Sequence, residues 1–359
     1  MIGLLTSPYR RASLRVIAAG FLFSAVAACG SDGLGPLAGG ALPADSALVP
    51  AHDTTVAPPS DSTSPAPTDS SLTPTDSSDI NTATAAQDTR SSLPGIVFAT
   101  MGMDNSYFND VHTGSLRAGG APDDAISLLA DARARGARIA LKLTRGSEEY
   151  VKNSDGTFNF TKWKDLVNRF RTVNLDPYIA DGTLLGHFLI DEPHMAAKWG
   201  GKIIPQSTVE AMAQYSKQIW PEMNTFVHTQ MSWLAGTPLT YRYLDAGWTQ
   251  YAANKGGIAT WASTEISNAK TKGLGLLMGL NVLNGGNGSS GIRGTRSGKY
   301  AMSASELRNY GTAILNQSYA CAFVMWEHKT TYYDRTDMKG AMAALSVLAK
   351  GHVKTACRQ

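Results

Sequence analysis

Two short stretches of the 359-residue chain pass from apolar residues straight into acids, imidazoles and indoles. One is Leu189-Ile190-Asp191-Glu192-Pro193-His194, the other Phe323-Val324-Met325-Trp326-Glu327-His328. Two carboxyl groups flanking one bond can hydrolyse it: one protonates the departing oxygen while the other attacks or activates water. Glu192 and Glu327 are the expected pair, with Asp245 as the next carboxylate. Like-charge repulsion from Asp191 would raise the pKa of Glu192 if both faced a pocket. Neighbouring strand residues point to opposite faces, however, so Asp191 has two open readings, a pocket group or an ion-pair partner of Lys142. Glu192 has a plainer reading as a rim carboxylate, and Glu327 as a salt-bridge partner of Lys329 or Arg335. Lys142, His194, His228, Gln230 and Asn281 could hydrogen-bond a hydroxyl-rich ligand. Trp248, Trp326, Tyr332 and Tyr333 offer flat apolar faces to the same ligand. Trp163, Trp220 and His187 read as core packing.

These residues matter only if strands bring them to one place. After Leu93-Pro94 the sequence alternates apolar runs, at 95–100, 138–144, 186–190, 225–229, 244–248, 274–281 and 322–326, with helical patterns. Helices are expected from Pro122 to Arg135, from a Thr161 cap to Phe170, over 209–219, from a Ser303 cap over 304–315, and from Thr336 or Asp337 to about Lys350. Ser, Thr or Asp near each start, with Pro or an acid in the first turn, are helix-opening signals. Nearly continuous apolar strands alternating with helices imply a parallel sheet covered by helices. Seven strand signals in a segment of about 265 residues suit an α/β, (β/α)8 TIM-like barrel of about 250 residues. The eighth strand is expected within 177–185 or in a loop. An open doubly wound sheet is the competitor, but its Gly-rich nucleotide turn is missing after the first strand. In a barrel the C-terminal strand ends carry function, and most of the residues above fall there.

The strand ending in Asp191-Glu192-Pro193 resembles the acid/base strand of TIM-barrel glycoside hydrolases, in which a Glu at the strand tip protonates the leaving oxygen. Trp326 before Glu327 resembles the late-strand aromatic that floors a sugar ring in those enzymes. The resemblance implies a glycoside hydrolase acting on a polysaccharide or oligosaccharide, with Glu192 as the acid. The chain departs from the large retaining clan of that family. It has Asp191 where an Asn is usual, and Leu280-Asn281-Val282-Leu283-Asn284 where the clan carries its nucleophile Glu. Two other functions stay open. One is a metal-dependent barrel hydrolase using His194, His228, His328, Asp191 and Asp245, although no paired His-x-His ends the first strand and no His-Glu-x-x-His occurs. The other is a non-catalytic glycan-binding surface protein. Serine-hydrolase and nucleotide-loop motifs are missing, no cofactor or resident metal is implied, and scattered bases do not suit nucleic acid.

The net charge of +3, with 43% hydrophobic residues, averages unlike parts. Arg10, Arg11 and Arg15 precede an apolar run too short to span a bilayer, an export-signal layout. That run ends in Val26-Ala27-Ala28-Cys29, which resembles the lipobox of bacterial lipoproteins. This implies cleavage after residue 28, a lipidated Cys29, and a place in the bacterial cell envelope, anchored to a membrane outside the cytoplasm. Residues 29–93 are rich in Ser, Thr, Pro and Ala and carry eight Asp against one Arg. Such a segment buries too little apolar area to order itself and reads as a disordered acidic tether. Residues 94–359 keep 28 basic against 21 acidic residues, an excess that suits an anionic polysaccharide or a charged surface. Cys321 opens the last strand and Cys357 follows the last helix, so both fall at the barrel bottom, and an exported compartment permits their disulfide. The domain is expected to be a monomer.

Overall fold

The structure, a computed structural model, describes residues 94–358. The expected signal, Cys29 and the tether lie outside the described residues. Eight strands form the centre: β1 (Val97–Met101), β2 (Gly114–Ala118), β3 (Arg138–Lys142), β4 (Leu184–Asp191), β5 (Thr225–His228), β6 (Ala246–Tyr251), β7 (Gly275–Leu280) and β8 (Ala320–Met325). They pair in sequence order, all parallel, and β8 closes on β1. Helices α1 (Pro122–Ala134), α2 (Phe160–Asn168), α3 (Asp176–Ala180), α4 (Gln206–Ile219), α5 (Met231–Ala235), α6 (Ile258–Thr271), α7 (Ala304–Leu315), α8 (Thr330–Tyr333) and α9 (Thr336–Gly351) fill the connections. This is the TIM-barrel arrangement.

The strands are buried on both faces, hence their apolar composition. One core fills the barrel with Val97, Leu116, Phe188, Phe226, Trp248, Leu277 and Val324. A second lies between strands and helices and contains Leu141, Leu189, Ile190, Met278 and Phe323. Close strand contact needs glycine at one point: a Cβ on Gly279 would sit 1.7 Å from the Val324 carbonyl oxygen.

Three expectations shift. The eighth strand is β2, in the expected loop between 100 and 122, and not within 177–185. Gly-Ser-Leu-Arg-Ala carries one branched apolar residue and gives little hydrophobic signal. The sixth strand begins at Ala246, two residues later than expected, which moves Asp245 below it. Helix α2 opens at Phe160 under an Asn159 cap that accepts from the Lys162 amide, so Thr161 is already inside the helix. The Ser303 cap stands as expected, as a capping box with Glu306.

The chain enters and leaves at the N-terminal ends of the strands. Ile96 N–H donates to the Ala349 carbonyl at the end of α9 (3.0 Å). Cys321 at the start of β8 is disulfide-bonded to Cys357, with their Cα atoms 5.1 Å apart. Arg358 reaches Asp245 at 3.2 Å, and Asp245 also holds Lys217 at 2.5 Å.

Candidate active site

The tip of β4 departs from strand alternation. The β4–β5 register shifts between Phe188 and Asp191, and Leu189 and Ile190 both join the outer core. Asp191 is thereby brought opposite His228 instead of pointing outward, a re-aiming typical of bulges. Its Oδ1 accepts from His228 Nδ1 at 2.6 Å, and its Oδ2 accepts from Lys198 Nζ. Burial alone would raise this carboxyl, but the His228 bond and the charges of His228 and Lys198 outweigh it and hold it far below the usual range. With its Nδ1 proton turned to Asp191, His228 keeps Nε2 for a ligand. Its ring lies 4.4 Å from that of Trp248.

Glu192 follows with φ +49°, the left-handed region that non-glycine residues rarely adopt. Its amide donates to the His228 carbonyl (2.9 Å), and its carbonyl accepts from Trp199 Nε1 (3.1 Å). The strand is thus turned off its path, and the Glu192 carboxyl stays part-exposed 3.8 Å from Lys198 Nζ. A second cation stands nearby. Lys255 donates to the Gln250 carbonyl at 2.6 Å; burial lowers its pKa, and Glu265 and Glu192 oppose the shift. His194 binds Thr229 Oγ1 at 2.9 Å through Nδ1, and burial lowers its pKa, which Glu192 opposes.

Across the mouth, Trp326 joins the tips of β7 and β8. Its amide donates to Leu280, its carbonyl accepts from Val282 (2.9 Å), and it bridges Asn281. The Trp326–Glu327 peptide bond is cis. Glu327 is half-buried, and burial raises its carboxyl pKa against a smaller opposing effect of Lys329. Among the described residues no hydrogen-bond donor reaches that carboxyl. Neither Lys329 nor Arg335 forms an ion pair with it: Arg335 pairs with Asp337. β4 and β8 stand diametrically opposite, with three strands between them either way.

Other expected residues are placed less favourably. Asp245 lies at the opposite end of the barrel, paired with Lys217 and Arg358, because it precedes β6. It is not a catalytic candidate. Trp248 is fully buried inside the barrel with Nε1 on the Val324 carbonyl (3.1 Å), so it supports His228 and offers no face to a sugar. Tyr332 and Tyr333 are buried too, their hydroxyls committed to the Met302 carbonyl and Thr100. Gln230 is exposed beyond β5, at the cap of α5. Lys142 pairs with Glu148 at 2.6 Å, not with Asp191. Asn281 uses Oδ1 to accept from the Asn284 amide (3.0 Å), leaving its NH2 group. His187 is a core histidine on Ser216, and Trp163 packs in the core.

Three rim residues escaped the sequence reading. Lys198 and Lys255 sit in loops whose approach to Glu192 no local pattern announces. Glu148 lies six residues beyond Lys142, and its second oxygen is buried without a partner. The metal-ligand set considered above is not assembled: Asp245 is at the far end, and among the described residues no three His, Cys, Asp or Glu side chains converge.

No protein-family model matches the chain, and no curated protein matches it in sequence. Solved structures similar to it include an endo-β-1,4-mannanase from Thermotoga petrophila (10% identity, TM-score 0.45, covering 72% of this chain and 77% of that one). Another is the catalytic domain of the major endoglucanase from Xanthomonas campestris pv. campestris (13%, 0.45, 72% and 94%). A third is a β-mannanase from Alicyclobacillus acidocaldarius (10%, 0.48, 71% and 98%). At such identities and scores the likeness carries no residue-level correspondence.

Proposed function

We propose that the protein is a glycoside hydrolase that cleaves a polysaccharide between Glu192 and Glu327. The observation that carries this reading is the contrast between the two carboxyls on opposite strands at one mouth. Glu192 has the Lys198 ammonium at 3.8 Å. Glu327 is half-buried with no donor on it, and burial favours its neutral form. The raised carboxyl of Glu327 suits it to hold the proton, with Glu192 as the base, the reverse of the roles expected from sequence.

Under this proposal the reaction is a single displacement, which the product anomer tests. Glu327 gives its proton to the glycosidic oxygen as the C1–O bond breaks, and the leaving sugar departs as an alcohol. Glu192 takes a proton from water, whose oxygen bonds to C1 from the opposite face, inverting the anomeric carbon. His228 Nε2 and the Asn281 amide would bond sugar hydroxyls, and half-buried Trp326 would support a ring. Asp191 acts through His228 and Lys198 as a positioning residue.

A screen of polysaccharides for new reducing ends tests the class. Glu327→Gln and Glu192→Gln should each lower kcat by about 10²-fold or more. Glu327→Gln should also remove the alkaline fall of the kcat/KM profile, and proton NMR of fresh product should show the inverted anomer. Wild-type protein that retains polysaccharides in an affinity gel without producing reducing ends would establish a glycan-binding protein instead. Export and lipid anchoring through Cys29 belong to the same proposal; Cys29→Ser should move the protein from the membrane to the soluble fraction.

A further inference from the structure

The β7–α7 connection is a built hairpin, not a slack loop. Gly286 and Arg293 both bridge Tyr300, and Gly294 N–H donates to the Lys299 carbonyl at 2.8 Å. Asn284 clamps its base: Nδ2 donates to Thr295 Oγ1 (2.8 Å), and Oδ1 accepts from the Arg296 amide (2.9 Å). The Asn284 amide in turn donates to Asn281, at the strand tip beside Trp326. The hairpin is therefore fixed to the rim between Glu327 and the segment bearing Lys255.

Its tip reads Arg293-Gly-Thr-Arg296-Ser-Gly-Lys299, and residues 282–305 contain no Asp or Glu. All three cations are exposed, and no carboxylate among the described residues pairs with them. The next acid, Glu306, is buried and committed to the Ser303 and Asn287 amides. Arg293 is held in place, with Nη1 on the Tyr300 hydroxyl (3.1 Å) and its guanidinium 5.0 Å from the ring centre. A stacked guanidinium keeps its remaining N–H groups in a fork that fits a carboxylate or sulfate.

We propose that this hairpin docks acidic sugar units, bearing carboxylate or sulfate, of the polysaccharide that enters the mouth. The inference rests on the hydrolase reading and names its substrate class. Neutral sugars would leave three exposed cations without partners. An acidic chain would place a charge near them at successive residues while its glycosidic bond lies between the two glutamates.

The test compares the full-length protein with an Arg293→Ala/Arg296→Ala/Lys299→Ala variant of unchanged Tm. The probes are polygalacturonate, alginate and chondroitin sulfate as acidic polymers, β-mannan as a neutral one, and phosphatidylglycerol vesicles. On an acidic polymer the variant should raise KM by about tenfold or more while kcat stays within about twofold, and wild-type KM should rise with salt. Mannan kinetics should not change. Equal loss on acidic and neutral polymers, no change on either, or binding only to vesicles would overturn the inference. If affinity electrophoresis shows acidic polymers retarded by wild type and not by the variant, yet nothing is hydrolysed, the docking inference holds and the hydrolase reading falls. A variant that does not fold is replaced by Arg296→Glu alone, whose KM should move in the same direction.

Discussion

At the residue scale, Asp191 and Glu327 respond to burial in opposite ways. The carboxyl of Asp191 is held below its unfolded value by His228 and Lys198, so its pairing stabilises the fold above the unfolded pKa and is lost as pH falls through the folded one. Asp191→Asn should therefore lower the unfolding free energy from urea titration at pH 7 by about 1–3 kcal/mol, with the gap to wild type starting to narrow below about pH 4. Glu327 has a raised folded pKa, so its contribution is full below the unfolded value and declines as pH rises through the folded one. Glu327→Gln should match wild type near pH 4 and gain on it toward pH 7, measured as Tm across that range. Glu192, His228, Asn281 and Trp326 were legible as strand-tip residues because each follows directly on an apolar run. Lys198, Lys255 and Glu148 were not, because loop closure in three dimensions brings them to the rim. The burial of Trp248 and Tyr332 was not legible either, because an aromatic near the strand tips reads the same whether its ring faces a ligand, the barrel interior, as Trp248 does, or the strand–helix core, as Tyr332 does.

At the scale of elements, β4 and β7 decide the shape of the mouth. The register shift after Phe188 aims Asp191 at His228, and no residue type in Leu189-Ile190 announces it. β7 shows the opposite case, where the sequence is explicit. Its two glycines, Gly275 and Gly279, sit four apart in an otherwise apolar strand, and a Cβ at Gly279 would enter the Val324 carbonyl. Gly279→Ala should cost more than about 3 kcal/mol, since backbone would have to move, and lower the yield of folded protein seen by circular dichroism. The strand-and-helix rhythm was readable for seven strands because both faces of each are buried. β2 was not, since Gly114-Ser115-Leu116-Arg117-Ala118 offers no such run. Asp245 is the second residue even of the expected run 244–248, so its place was always at the strand start, and the true start at Ala246 leaves it on the floor of the barrel.

At the scale of the molecule, the C-terminal segment is fastened across one end of the barrel. The Cys321–Cys357 disulfide and the Arg358–Asp245–Lys217 contacts hold the C-terminal segment across the starts of β6 to β8. The two cysteines are 36 residues apart, so Cys357→Ser should cost about 2–4 kcal/mol, and wild type in reductant should lose a similar amount. Activity at low temperature should survive, since the bond lies at the end away from Glu192 and Glu327. That pairing was legible because cysteines at a strand start and beyond a final helix must share a barrel's lower face. The same end receives the chain at Ile96, bonded to the Ala349 carbonyl. An affinity tag or solid support joined ahead of residue 94 would therefore hold the molecule by its floor. Beads loaded in that way would present every mouth to the surrounding fluid, and a long insoluble polymer could reach it without passing the point of attachment.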